Sequence, residues 1–302
     1  MKGKDITDLV LIAAIWGSSF LFMRMSVHSF GPFALIALRT SMALMVIFPL
    51  LLWRDKLPLL VKHWRPIFTV GIINSAIPFC LLAYAAITIP AGVLSILNAS
   101  TPLWGATIAW VWFKDKLPFW RLVGLKVGFA GIMMLVWDEF EIDQVLASGS
   151  ALAAGLLGPL SYGLSANYTK KHLMGADPLA VATGSLLSAS VVLAPLAWLT
   201  WPTGPIESRA WGAVILLAIL CTAFTYLIFY RLMLNVGPVK ASTVTFLIPV
   251  FGVLWGWLWL EEIVTLQIMM GAGVILIGTA LATGIVNENI FKRRSPVPAN
   301  KP

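Results

Sequence analysis

Ten runs of about twenty mainly apolar residues, separated by short loops, leave this chain few folds to choose from. They lie at 8–27, 32–53, 66–88, 90–113, 119–137, 149–169, 178–200, 210–234, 239–260 and 264–285. A bilayer core about 30 Å thick is crossed by roughly 20 helical residues, whereas a barrel strand needs only about ten. Every run is too long for a barrel strand, so each is predicted to be a transmembrane helix. No stretch remains that could fold as a separate soluble domain. Of the 302 residues, 59% are hydrophobic and 11% are charged, against roughly 25% charged in soluble domains. The opening MKGKDITD leads straight into the first run, which is read as a span and not as a cleaved signal.

The charges orient the runs. With the N-terminus inside, 17 of the 21 Lys and Arg fall in cytoplasmic loops or tails, including Arg54, Lys56, Lys114, Lys116, Lys170, Lys171, Arg231 and Lys240. The acidic segment Asp138 to Asp143 and the pair Glu261 and Glu262 fall outside, and the basic tail FKRRSPVPANKP falls inside. Both termini are then cytoplasmic, which requires an even number of spans. The net charge of +8 is explained by this topology, so no nucleic-acid partner is expected. Cys80 and Cys221 both sit within apolar runs and are read as small core residues.

The chain repeats itself. Pro90 to Leu117 is echoed from Gly237 onward, pairing Ser95 with Ser242, Asn98 with Thr245, Pro102 with Pro249 and Gly105 with Gly252 at an offset of 147. At 146, Gly17 pairs with Gly163, Ser19 with Ser165, and Tyr84 with Tyr230. Five spans per copy is an odd number, so the copies enter the membrane in opposite senses, the plan of many secondary transporters. The expected fold is all-α integral membrane, with two inverted five-helix repeats around a central cavity. The repeats are placed at 8–137 and 149–285, with a cytoplasmic tail at 286–302.

Proline within a helix frees the carbonyl four residues earlier. Pro102 and Pro249 would free those of Asn98 and Thr245, and in lipid such groups must face protein or water. These prolines and Pro78 are expected to act as hinges. Polar and aromatic residues at the same depth are expected to line the cavity: Trp16 and Ser19; Asn74, Ser75 and Tyr84; Ser95 and Asn98; Tyr162 and Ser165; Tyr226 and Tyr230; Ser242 and Thr245. For the hydroxyls the competing reading is hydrogen bonding back to their own helix. For Tyr84 and Tyr230 it is anchoring at the lipid interface, where Trp110, Trp112, Trp257 and Trp259 are also expected. Gly124 with Gly128, and Gly252 with Gly256, are expected to allow close helix packing.

Arg39 is the one cation well inside a cavity-side run, about 10 Å in at 1.5 Å per residue. It either attracts a substrate carboxylate or pairs with backbone carbonyls and reaches outward. Lys126 is expected to reach the cytoplasmic surface. No GxxxxGK[ST] motif, HExxH motif or Ser/His/Asp set stands at one depth, and no Asp or Glu lies deep in a run. Neither an enzyme nor a cofactor is expected. Facilitated diffusion or exchange is favoured over proton antiport.

FLIPVFGVLWGWLWLEE followed by Gly271, Gly273 and Gly278, and STPLWGATIAWVWFKDK followed by Gly124, Gly128 and Gly131, resemble the ends of two EamA domains. WGSSFLFMR and Arg39 in ALRTSMAL resemble the usual start of the first. The first copy departs from the pattern, with Lys114-Asp115-Lys116 standing where Glu261 and Glu262 stand in the second. The resemblance implies a ten-helix secondary transporter of the drug/metabolite transporter superfamily, similar to bacterial exporters of aromatic and neutral amino acids. Its partners would be a small-molecule substrate and the lipid bilayer of the inner membrane. A drug, nucleobase or sugar exporter of the same fold, and a channel or scaffold, are the alternatives.

Overall fold

A computed structural model of the chain describes residues 3–114, 118–136 and 145–284. The acidic segment Asp138 to Asp143, residues 115–117 and the tail 286–302 lie outside these. Every regular element among the described residues is helical. Helix α1 (Gly3–Trp53) has one corner, at Gly31, where φ is 70° and ψ 164°. Only glycine adopts that backbone readily, and Pro32 then restarts the helix with its fixed φ. Two predicted runs therefore form one element with two arms, 3–30 and 32–53.

The next run is built from α3 (Trp64–Gly71), a π-helical turn (Ile72–Ala76) and α4 (Ile77–Ala85), after the short α2 (Leu57–Lys62). The π turn has a cause in sequence. Pro78 lacks an N–H and its ring displaces the carbonyl of Asn74, inside the widened turn. The second copy also has a π turn, without a proline: α10 (Ser208–Ala218), the turn (Ile219–Phe224) and α11 (Thr225–Val236). There, Thr222 and Thr225 donate to the carbonyls five residues back, Leu217 and Leu220, at 2.9 and 2.6 Å.

Helices α5 (Ala91–Asn98) and α6 (Thr101–Phe113) are separated by a break at Ala99–Ser100. Then come α7 (Phe119–Val136), α8 (Val145–His172), α9 (Pro178–Leu199), the short α12 (Pro238–Ala241), α13 (Val244–Leu260) and α14 (Leu266–Thr283). Among the described residues, five helical stretches are long and apolar enough to cross a membrane: Gly3–Trp53, Trp64–Ala85, Pro178–Leu199, Ser208–Val236 and Leu266–Thr283. Val244–Leu260 is a shorter apolar helix.

The two copies pack against each other pair by pair. α1 lies on α13, and its counterpart α8 lies on α6. α1 also lies on α10 and its π turn, and α8 on α4. α7 and α14 pack together along their glycines. A Cβ on Gly124 would collide with Leu281 and Ala282, and one on Gly131 would lie 2.8 Å from the Ile275 nitrogen. Small residues bring these backbones close, because apolar side chains gain little by leaving lipid.

Candidate functional site

The second arm of α1 carries Arg39 into the interior, where the residue is only 5% exposed. Its Nε donates to Thr222 Oγ1 at 3.0 Å, and its guanidinium stacks 3.8 Å above the Phe79 ring. The π turn in the second copy aims Thr222 at this point. Tyr162 lies edge-on to Phe79, with ring centroids 6.2 Å apart. Tyr162 and Tyr226 are close enough to Arg39 to feel its charge. Both lie deep in the bundle, yet each keeps part of its surface accessible.

Among the described residues, Arg39 has no carboxylate partner. The ion pairs there are Arg24–Glu262, Lys56–Asp177 and Arg231–Asp8. A hydroxyl and a π face supply a guanidinium with less than a carboxylate would, and a buried charge without a counter-ion is expensive. The group therefore suits an incoming anion. Its counterpart in the repeat is Ser185, whose buried Oγ has no partner. The position opposite, corresponding to Thr222, is Ala76, which offers no polar atom. One cation thus breaks the near-symmetry of the interior.

At the break between α5 and α6, hydroxyls absorb the freed carbonyls. Ser100 Oγ donates to Leu97 O at 2.6 Å, Thr101 Oγ1 to Asn98 O at 2.7 Å, and Thr279 Oγ1 to Ala99 O at 3.4 Å. The carbonyl of Asn98, expected to be free, is thus taken across the break by Thr101, the first residue of α6. Its side chain is the polar atom left over: among the described residues, Asn98 Oδ1 is buried without a partner, as is Trp104 Nε1. An amide oxygen and an indole N–H in that condition mark a place where a ligand or water completes the bonding.

The other predicted residues fall in several places. Pro102 lies in the first turn of α6, just after the break, whereas α13 runs on through Pro249 and the irregular step lies earlier, at Ser242–Thr243. The mirrored creases expected from the prolines are therefore offset. Ser95 is fully buried, donates to Gly92 O at 2.6 Å and presses on Gly252, so it sits in a helix contact and not on a cavity wall. Ser19 is bonded back to Trp16 O at 2.6 Å, and Thr245 to Ser242 O at 2.8 Å. Trp16 packs on Phe229 with centroids 5.0 Å apart. Tyr84 is 41% exposed and meets Ser150 at 2.9 Å, outside the Arg39 group. Tyr230 packs against a buried apolar cluster that includes Ala43 and Leu179. Ser165 is buried, Asn74 is half-buried, and Ser75 is buried with an unpartnered Oγ. Lys126 and the four expected interfacial tryptophans are on the surface.

The two ends of the bundle differ. At one, α13 packs along α5. There Glu262 accepts from the backbone N–H of Ala91 at 2.6 Å and of Gly92 at 2.9 Å, and Arg24 Nε stands 3.5 Å from its Oε1. At the other, α6 packs on α8 and α14 instead, and Ser242 is exposed. Its counterpart Ser95, at the first end, is fully enclosed.

Two stretches, residues 6–137 and 149–284, match the EamA-like transporter family. The chain belongs to that family. It is accordingly a multi-pass membrane transporter. The chain is 23% identical to an uncharacterized transporter, YoaV, of Bacillus subtilis, over 96% of this chain and 99% of the other. It is 23% identical to a probable amino-acid metabolite efflux pump of Escherichia coli, over 92% and 94%. A crystal structure at 18% identity shares the fold with a TM-score of 0.66, covering 94% of this chain and 99% of the other. Phe79 and Trp104 were not singled out as site residues in the sequence. Phe79 looked like any apolar helix residue, and only its contact with Arg39 distinguishes it.

Proposed function

We propose that this EamA-family protein exports amino acids or related small metabolites across a bacterial inner membrane by alternating access. Ten helices cross the bilayer as two inverted five-helix repeats, 8–137 and 149–285, with both termini and the tail 286–302 cytoplasmic. The positive-inside charge pattern supports that orientation. The end closed by Glu262 then faces outward and the end bearing Ser242 faces the cytoplasm.

One observation carries the reading: α5 and α13 are packed together at one end, while at the other α6 leaves α13 for α8 and α14. Repeat-related helices that meet at one end only are what a transporter needs in order to expose its interior to one side. The solute class rests on Arg39, whose uncompensated charge attracts a carboxylate. The ring of Tyr162, which keeps part of its surface accessible, accepts an apolar side chain beside it. The name of the Escherichia coli relative points the same way.

Counterflow in proteoliposomes tests this. Vesicles loaded with one unlabelled amino acid at a time are expected to accumulate the same radiolabelled compound, with and without a pH gradient. A panel of aromatic and neutral amino acids that never exchanges contradicts the solute class.

A further inference from the structure

The turn between α13 and α14 places a carboxylate where the far end of another helix begins. Glu261 has a left-handed backbone with φ 55°, which folds the chain back so that Glu262 N donates to Gly256 O at 3.2 Å. The Glu262 carboxylate then enters a niche with a bare glycine on each side. A Cβ on Gly256 would collide with its Oε2, and one on Gly92 would lie 3.5 Å from it. Both oxygens are used, one on Ala91 N–H and one on Gly92 N–H, at the start of α5. Those amides have no partner within the helix, and they sit at the positive end of its dipole.

Arg24 completes the joint. Its Nη1 donates to Ala86 O at 3.0 Å and Ile89 O at 2.8 Å, at the chain just before α5, while its Nε faces Glu262. One carboxylate and one guanidinium thus tie α1, α5 and the α13–α14 turn at the closed end. At the other end the corresponding residues differ, and Asp115, which corresponds to Glu262, lies outside the described residues. Ala91 corresponds to Pro238, which has no N–H to give. Arg24 corresponds to Lys170, which stands 4.9 Å above the Phe113 ring.

We propose that Glu262 is a latch that holds the α5 end shut and biases the resting protein toward the state open at the Ser242 end. The idea rests on the transport reading for its purpose, but its test needs no substrate. Ser95→Cys and Ser242→Cys are made one at a time in a chain with Cys80→Ala and Cys221→Ala. A water-soluble maleimide is applied in detergent, where both ends are reachable. The thiol at position 242 is expected to react quickly and the thiol at position 95 slowly. Glu262→Gln weakens two charge-assisted hydrogen bonds and an ion pair, and is expected to speed labelling at position 95 about tenfold. Gly92→Ala crowds the niche and is expected to act in the same direction. The latch is overturned if position 95 stays as protected in Glu262→Gln as in the parent, or, where that variant does not fold, as protected in Gly92→Ala. A failed counterflow assay beside a positive labelling result would sink the solute class and leave the latch standing.

Discussion

Gly163 approaches Gly105 so closely that a Cβ on Gly163 would lie 2.7 Å from the Gly105 backbone nitrogen. The other copy makes the same contact: a Cβ on Gly17 would lie 2.9 Å from the nitrogen of Gly252. Two pairs related by the repeat thus set the same backbone-to-backbone approach, α8 on α6 and α1 on α13. The contact leaves no room for a methyl group, and neither partner is a flexible side chain that could move aside.

Gly163→Ala and Gly17→Ala should therefore each destabilise the protein by about 1–3 kcal/mol, the range for overpacking a tight contact. Gly212 is the control, since a Cβ there meets nothing within 4 Å. Gly212→Ala should be neutral or slightly stabilising, because alanine favours helix. Thermal unfolding in detergent reads all three.

Thr222→Val should cost about 1–3 kcal/mol, because it leaves the buried Nε of Arg39 without its acceptor. The repeat supplies the contrast. Ser185 Oγ is already unpartnered, so Ser185→Ala should be neutral or stabilising. The same unfolding measurement separates the two, and a loss at Ser185 equal to that at Thr222 would contradict the assignment.

Arg39→Gln should lower counterflow of a carboxylate-bearing substrate by at least about tenfold, the scale of one charge-assisted contact. Arg39→Lys keeps the charge but loses the planar stack on Phe79 and the Nε donor, and should recover only part of the rate. Full activity in Arg39→Gln would leave the cation a packing role alone.

Arg231 donates from Nη2 to both oxygens of Asp8, at 2.7 Å each, joining α11 to the first arm of α1. The geometry is good, but the Arg231 side chain is 48% exposed, so solvent screens the pair. A double-mutant cycle with Asp8→Asn and Arg231→Gln should give a coupling below about 1 kcal/mol. The joint guides where the helices meet more than it holds them together.

The helical class and the burial of Arg39 were legible because each is written locally. Run length and a charge inside an apolar run need no tertiary information. The site was less legible. The alternation of polar residues along 90–113 placed Ser95 and Asn98 on one face, but Gly252 fills the space beside Ser95. Hydroxyls expected to face a cavity, such as Ser19 and Thr245, satisfy their own helix, a choice that spacing does not reveal. The break in the second copy falls at Ser242–Thr243 and not at Pro249, because a helix can bend around a proline without ending. Glu262 was visible as an acid after the ninth run. Its partners Ala91 and Gly92 lie about 170 positions away, beyond any local signal.

Alternating access requires the two ends to open in turn. Double electron–electron resonance on two nitroxide pairs tests it most directly: Thr88 with Ile263 at the closed end, and Phe113 with Lys240 at the other. On adding a substrate found by counterflow, the Thr88–Ile263 distances should shift to longer values as the Phe113–Lys240 distances shift to shorter ones. Distances that stay fixed, or that lengthen at both ends together, would contradict alternating access.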